Sequence, residues 1–235
     1  MIIENISDYI NALEKTSEHT IYRGQANKGW DLIPSIGRLH DKLENHNTLY
    51  KDWESLEKSL LSRFKTQSTP YMNFVPSSKI EWLIHAQHHG LPTPLLDWTT
   101  NPLVALYFSL CETDNDGFDG AVHTIVPKSW HSDSDDIDSI PHLIAFYPRH
   151  LNPRIVAQSG CFTVFPYPKK LVPMASLSDP NSYVSTEVYW GETIIIPKDS
   201  KPKLRKQLSR LGINHQTMFP GLDGIAKQIL SEFSA

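Results

Sequence analysis

GAVHTIVP, residues 120–127, is where the chain changes character, and that change decides the fold class. A β-branched run bounded by Gly120 and Pro127 reads as a strand. HLIAFYP (142–148), RIVAQ (154–158), CFTVFP (161–166) and ETIIIP (192–197) repeat the pattern: short, apolar and punctuated by Gly or Pro. Working outward, the stretch before residue 120 has helical spacing instead. Ile6, Ile10 and Leu13 form one stripe within residues 5–17, and Trp53, Leu56, Leu60 and Phe64 do so within a helix expected from about Asn47 to Thr66. Ser78 followed by Glu81 is a capping-box signature, and Gly90 is placed to stop the helix it opens. Asn101-Pro102 then caps and starts LVALYFSLCE (103–112). Two early segments break the helical run. HTIYRG (19–24) reads as a brief strand, and LPTPLLDWTT (91–100), with two prolines, reads as an ordered loop.

After the strands, KPKLRKQLSRLG (201–212) reads as a basic helix closed by Gly212, and GLDGIAKQIL (221–230) as an amphipathic one with Leu222, Ile225, Ala226 and Ile229 on one face. HSDSDDIDS (131–139) reads as an acidic surface loop. Helices first and strands later predict an α+β fold, with an N-terminal helical half packed on a mixed or antiparallel sheet. A single domain over residues 1–235 is expected, with 1–18 as an N-terminal helix.

The chain has 235 residues, 22 Lys and Arg against 26 Asp and Glu, a formal charge of −4 and 40% hydrophobic residues. Its mean hydropathy is −0.35. That composition fits a globular chain and argues against sequence-independent nucleic-acid binding through bulk charge. Cys111 and Cys161 make no disulfide framework and no Cys-x-x-Cys pair. Residues 1–15 lack the basic start and apolar core of a signal peptide, and no run reaches the roughly 18 apolar residues of a membrane span. A cytoplasmic protein with no membrane partner is expected.

Three segments carry chemistry. In YRGQ (22–25), Arg23 ends a strand with a planar, permanently charged fork suited to phosphate or carboxylate, and Gly24 lets a ligand come close. The alternative is an arginine paired with an internal carboxylate. In QHHGLPTPLLDWTTNP (87–102), Gln87, His88, His89, Thr93, Asp97, Thr99, Thr100 and Asn101 bring many donors and acceptors together with Trp98, and Tyr107 follows. That mixture suits a planar, hydrogen-bonding ligand such as a nucleotide. A loop whose polar side chains satisfy its own backbone is the competing reading. In the third segment, Gln158-Ser159-Gly160 interrupts two apolar runs and can aim an amide into a cleft. Cys161 reads as a buried, inert thiol. His85, His88 and His89 have helical spacing but no partner motif, so no metal is expected. The basic helix reads as a solvated face or as a patch for an acidic partner.

These segments together resemble the FRG domain family, named for a Phe-Arg-Gly motif. Here it stands as Tyr22-Arg23-Gly24-Gln25, followed by Trp30, Pro34 and Arg38. The longest match is Gln87 through Thr99, running into Asn101-Pro102 and Ala105–Phe108; Gln158 through Thr163 is similar to a third block. The resemblance spans about residues 19–230. Where many members carry Arg after the Pro-Thr pair, this chain has Pro94, so Arg38 or Arg154 is the expected second anchor.

The order of blocks also resembles ADP-ribosyltransferases, which implies a split sheet and NAD as the substrate. On that resemblance, Arg23 holds the diphosphate or the nicotinamide ribose, and Thr99 and Thr100 position the ribose. Trp98, Tyr107 or His89 flanks the nicotinamide, with Gln25, Arg38, Thr93 and Asp97 completing the binding set. Gln158 stands where an acid is expected, with Glu187 as a substitute. The acceptor is a protein or a nucleic acid, and a toxin or antiphage-defence role is implied. The competing function is a non-catalytic nucleotide-binding sensor or interaction module.

Overall fold

The computed structural model describes residues 1–44, 50–72, 74–132, 137, 140–149 and 153–233. The acidic stretch 131–139 and the expected helix start at Asn47 lie largely outside these residues.

Among the described residues, the strands are β1 (Ile21–Gln25), β2 (Leu95–Thr99), β3 (Gly120–Pro127), β4 (Trp130–His131), β5 (Ile144–Phe146), β6 (Gly160–Val164), β7 (Val188–Trp190) and β8 (Ile194–Ile196). Their order across the sheet is β4-β5-β6-β2-β1-β3-β7, with β8 sharing the outer edge of β3. The pairs are antiparallel except β4 with β5. The fold is α+β with a mixed sheet, as the change from helical to strand patterning predicts, although β1 and β2, from the half before residue 120, stand in the middle of the sheet.

The helices are α1 (Ile6–Leu13), α2 (His40–Glu44), α3 (Trp53–Ser68), α4 (Lys79–His88), α5 (Pro102–Leu110), α6 (Pro153–Ala157), α7 (Lys201–Arg210), α8 (His215–Met218) and α9 (Leu222–Phe233). The starts expected at Ser78 and Asn101 hold, whereas the helix expected from about Asn47 begins at Trp53, where Asp52 caps it by accepting from Ser55 N–H at 2.7 Å and residues 50–52 are not helical. Ser78 caps α4 by accepting from Glu81 N–H at 3.2 Å, and Gly90, at φ +83°, ends the segment. Asn101 accepts from Leu103 N–H at 3.0 Å ahead of Pro102. The apolar α5 is buried on most sides: Val104, Ala105, Leu106 and Leu110 pack with Tyr22, Val122, Ile194 and Leu204.

Two expectations fail. LLDWT is the sheet-central strand β2 rather than a loop. Pro92 and Pro94 both precede it and cost the ladder nothing, and the strand is buried on both faces except at Asp97, its one exposed residue. RIVAQ contributes the short helix α6 rather than a strand; Pro153 starts it, and Ser159, at φ +46°, turns the chain sharply into β6.

The basic helix α7 is no uniform solvated face. Lys201 is buried and its Nζ donates to Ala26 O at 2.7 Å and Asn115 O at 2.9 Å. Arg205 donates from Nε to Leu110 O at 2.9 Å and pairs with Asp116. On α9, the predicted apolar face is largely exposed, with Leu222, Ile225 and Ile229 among its open positions. No helix among the described residues is long and apolar enough to cross a membrane.

Gly24 has a structural reason distinct from the ligand approach expected of it. A Cβ there would lie 1.8 Å from Ala105 O and 2.7 Å from Ser109 N, so β1 and α5 touch backbone to backbone. Gly24→Ala is expected to lower stability by at least about 2 kcal/mol, because neither rigid element can yield cheaply. Urea unfolding checks this: the midpoint should fall at an unchanged m-value.

Candidate functional site

The centre of the sheet is nearly divided. β1 pairs with β3 over five registered positions, and β2 with β6 over five, but β1 and β2 register only at Tyr22↔Thr99. Beyond that point the two strands part. A cleft of about 410 Å³ lies along the seam, lined by Tyr22–Ala26 on one side and Asp97–Thr99 on the other. This volume falls inside the roughly 300–1,000 Å³ typical of ligand sites.

Arg23 spans the seam. Its Nη1 donates to the main-chain oxygen of Asp97 at 2.6 Å, so a guanidinium takes a β2 carbonyl from the β1 side. The side chain is 17% exposed, and Nη1 lies 3.9 Å from Asp97 Oδ2. Among the described residues, Arg23 Nε is the buried side-chain polar atom without a hydrogen-bond partner. Burial pulls the guanidinium below its ordinary pKa; Asp97 opposes the shift and Arg38 adds to it. Arginine nonetheless stays cationic, so the site holds a charged group with an unused donor. An unpaired buried donor of this kind costs about 1–3 kcal/mol.

Asp97 is oriented from behind. Thr93 Oγ1 donates to Gln87 Oε1, and Gln87 Nε2 donates to Asp97 Oδ1 at 2.9 Å. Thr93 is fully buried and receives no solvent. The last turn of α4 and the approach to β2 thus fix the carboxylate while leaving it 62% exposed in the cleft.

The far wall comes from α6 and the turn after it. Arg154 and Gln158, four residues apart, both line the cleft. The Arg154 guanidinium lies 4.4 Å from the centroid of the Phe219 ring, and Gln158 Nε2 donates to Met218 O at 3.0 Å. Thr99 Oγ1 donates to Gln158 O at 2.7 Å, and Thr100 N–H to Ser159 O at 3.1 Å, which locks this turn onto the end of β2. Burial lowers the Arg154 pKa, and Asp97 raises it.

Of the residues singled out in the sequence, Arg23, Gln25, Arg38, Asp97, Trp98, Thr99 and Gln158 line the cleft together. Gln25 is buried and its Oε1 accepts from His123 Nε2 at 2.9 Å. Trp98 is buried and donates from Nε1 to Thr163 Oγ1 at 3.1 Å. Five others do not line it. Thr93 acts behind Gln87. Thr100 is exposed, and His89 is exposed and stacked on His88 with ring centroids 5.0 Å apart. Tyr107 is buried and its hydroxyl is 2.7 Å from His215 Nδ1. Glu187 ends a 3-10 turn before β7, two strands away from the seam, and does not reach the cleft. Arg154, the other expected anchor, lines it as well, and so do Glu112 and Phe108, which carry no motif of their own. Glu112 stands two residues beyond the end of the apolar helix α5. Cys161 is buried in β6 with its thiol pushed well above the ordinary range by burial. No group of three or more His, Cys, Asp or Glu among the described residues is arranged to hold a metal ion.

Comparison with known families gives one result. Residues 18–117 match the family model described as FRG domain. No curated protein and no solved structure matches the chain. The matched segment carries β1, β2 and α5, together with Arg23, Arg38, Gln87, Asp97 and Glu112; Arg154 and Gln158 lie beyond it.

His123, which holds Gln25, has its pKa lowered to about 4, first by burial and then by Arg23. The unfolded chain, with an ordinary histidine near 6.5, therefore binds more protons than the folded one between these values. Stability contributed by the neutral imidazole is complete above pH 6.5 and lost as pH falls toward 4, on the order of 3 kcal/mol in all. Urea unfolding of wild type and His123→Gln at pH 7 and pH 5 checks this. The wild type should lose more stability between the two pH values than the variant.

Proposed function

We propose, from the premise that this chain carries an FRG domain over residues 18–117, that the cleft binds a nucleotide of the NAD class and catalyses release or transfer of its ADP-ribose. The observation that carries the reading is the Arg23 guanidinium, which lies across the seam with its Nε unpartnered and with Arg38 and Arg154 on the same cleft. Three permanent cations on one concavity favour a ligand with more than one anionic group, such as a diphosphate. Trp30 and Phe108 add flat surface for a base or a nicotinamide ring.

In the reaction, the bond between C1′ of the nicotinamide ribose and the ring nitrogen breaks. The electron pair leaves with neutral nicotinamide. An oxygen of water or of a protein or nucleic-acid acceptor forms the new bond to C1′ and loses its proton. The chain's part is to fix the diphosphate and to counter positive charge at C1′, which positioning and fixed dipoles accomplish without a covalent step. Gln158, expected at the acid position, is neutral and its amide is committed to Met218 O. The carboxylates that line the cleft are Asp97 and Glu112. This commitment of Gln158 favours a second reading, a nucleotide-binding module without turnover. A toxin or defence role belongs to the first reading, since depletion of NAD or modification of an acceptor harms a cell.

Purified protein is incubated with NAD labelled in the adenylate half, with and without lysate, and nicotinamide release is followed. Product is expected from wild type, with Arg23→Ala reducing it at least about 100-fold, the usual effect of removing one preorganised electrostatic contact. NAD-induced thermal stabilisation without product supports the binding module, and neither product nor stabilisation ends both readings.

A further inference from the structure

We infer that Asp97 reads the vicinal hydroxyls of the ligand's ribose, so that the cleft selects ribonucleotides by a carboxylate set directly beside its anion-binding guanidinium. The inference rests on the nucleotide reading of the cleft and assigns one end of that ligand to one residue.

Asp97 holds the exposed position of a strand whose other residues are buried. Leu96 and Trp98 point to the other face of the sheet, and the Asp97 side chain stands 62% exposed in the cleft. Its two oxygens are not equivalent. Oδ1 is taken by Gln87 Nε2 at 2.9 Å. Oδ2 lies 3.9 Å from Arg23 Nη1, beyond hydrogen-bond reach, and Nη1 is already spent on Asp97 O at 2.6 Å. One carboxylate oxygen is therefore open while the group as a whole is held in place through the buried Thr93 hydroxyl and the Gln87 amide. Fixing a side chain by hydrogen bonds from behind, with its front left open, is how a recognition group is preorganised.

The neighbours say what kind of group approaches. Arg23 and Arg154 are both near enough to Asp97 to act on its charge and have theirs acted on in return. The surroundings are thus net positive, which disfavours a cationic ligand group against Asp97. A neutral donor suits it better, and a vicinal diol offers two donors to a carboxylate. The Arg23 guanidinium, whose Nε is buried and without a partner, lines the cleft beside it. The arrangement asks for an anionic oxygen and a pair of hydroxyls within one sugar's length of each other, as in a ribose bearing a 5′-phosphate. A 2′,3′-dideoxy ligand would keep the anionic end and leave Asp97 unmatched.

The test measures affinities of ADP, 2′,3′-dideoxy-ADP, ribose 5-phosphate and pyrophosphate by calorimetry for wild type, Asp97→Ala and Asp97→Asn. Wild type should bind ADP at least about tenfold more tightly than the dideoxy compound, as loss of hydrogen bonds to a charged group predicts. In Asp97→Ala the ratio should fall to about one while pyrophosphate binds at least as tightly as to wild type, because the carboxylate removed stands beside Arg23 and acts on Arg154. Asp97→Asn, which still accepts from Gln87 and so preserves the fold, should give a reduced ratio. Gln87→Leu, at the positioning residue, should narrow the ratio while pyrophosphate binding persists. Equal wild-type affinity for ADP and its dideoxy form, or a ratio retained in Asp97→Ala, overturns the assignment and leaves the nucleotide reading standing. Asp97-dependent binding of ribose 5-phosphate but not of ADP keeps the assignment and removes the nucleotide. Failure of wild type to bind any of the sugar-containing ligands overturns both.

Discussion

Two antiparallel strands in the middle of a sheet normally exchange hydrogen bonds along their whole length, because buried backbone groups left unpaired are expensive. β1 and β2 do so at a single registered position and then separate. What stands in the gap is Arg23, whose guanidinium reaches over and takes the Asp97 carbonyl. A charged side chain thereby substitutes for part of a ladder. The substitution has two consequences that cannot be had separately. It opens a cavity in the middle of the sheet, and it places on that cavity's wall a cation whose Nε is buried without a partner.

The seam stays open because the elements on either side are pinned from outside it. On the β1 side, Gly24 sits directly against the backbone of α5, and Lys201 ties the strand's exit at Ala26 to the loop at Asn115. On the β2 side, Thr99 and Thr100 bind the turn at Gln158–Ser159, which brings α6 and its Arg154 into range. Arg23 and Gly24, adjacent in sequence, therefore do opposite things. The arginine reaches over the gap, and the absence of a side chain at the glycine lets the helix behind come close enough to brace it. Neither residue type could be exchanged for its neighbour, since any Cβ at Gly24 meets Ala105 O.

The class of fold was legible from the shift in periodicity at residue 120, and the helix starts at Ser78 and Asn101 from local capping chemistry alone. Convergence of Arg23, Asp97, Thr99 and Gln158 on one concavity was legible only through the resemblance of three blocks to one family. What escaped was decided by long-range contacts. The prolines of LPTP mask a central strand, because a proline's effect depends on whether it falls inside the ladder or just before it. RIVAQ has β-prone composition, yet Pro153 and the Ser159 turn make it helical; five residues are too few for periodicity to arbitrate. Glu187 is the substitute acid that the resemblance offers, and only the strand order shows it to be two strands from the seam. Lys201 looked like one charge among several on a wet face. Its burial follows from two carbonyls, Ala26 and Asn115, that no inspection of α7 alone would reveal.

The same long-range logic explains why the cleft is of mixed charge. An opening lined by arginines alone would repel its own walls and hold any anion without regard to the rest of the ligand. Asp97 and Glu112 supply the counterweight, and Asp97 meets Arg23 twice: its main-chain oxygen accepts from the guanidinium, and its Oδ2 stands 3.9 Å from Nη1. The Thr93–Gln87 pair holds the other carboxylate oxygen, Oδ1. A contact held at 3.9 Å is therefore the useful state, since each charge remains open to a third party. In this arrangement the polar residues of the middle block divide their work. Thr93 and Gln87 hold, Thr99 anchors the opposite wall, and Asp97 faces the ligand space, which is why so many donors and acceptors are concentrated between residues 87 and 101.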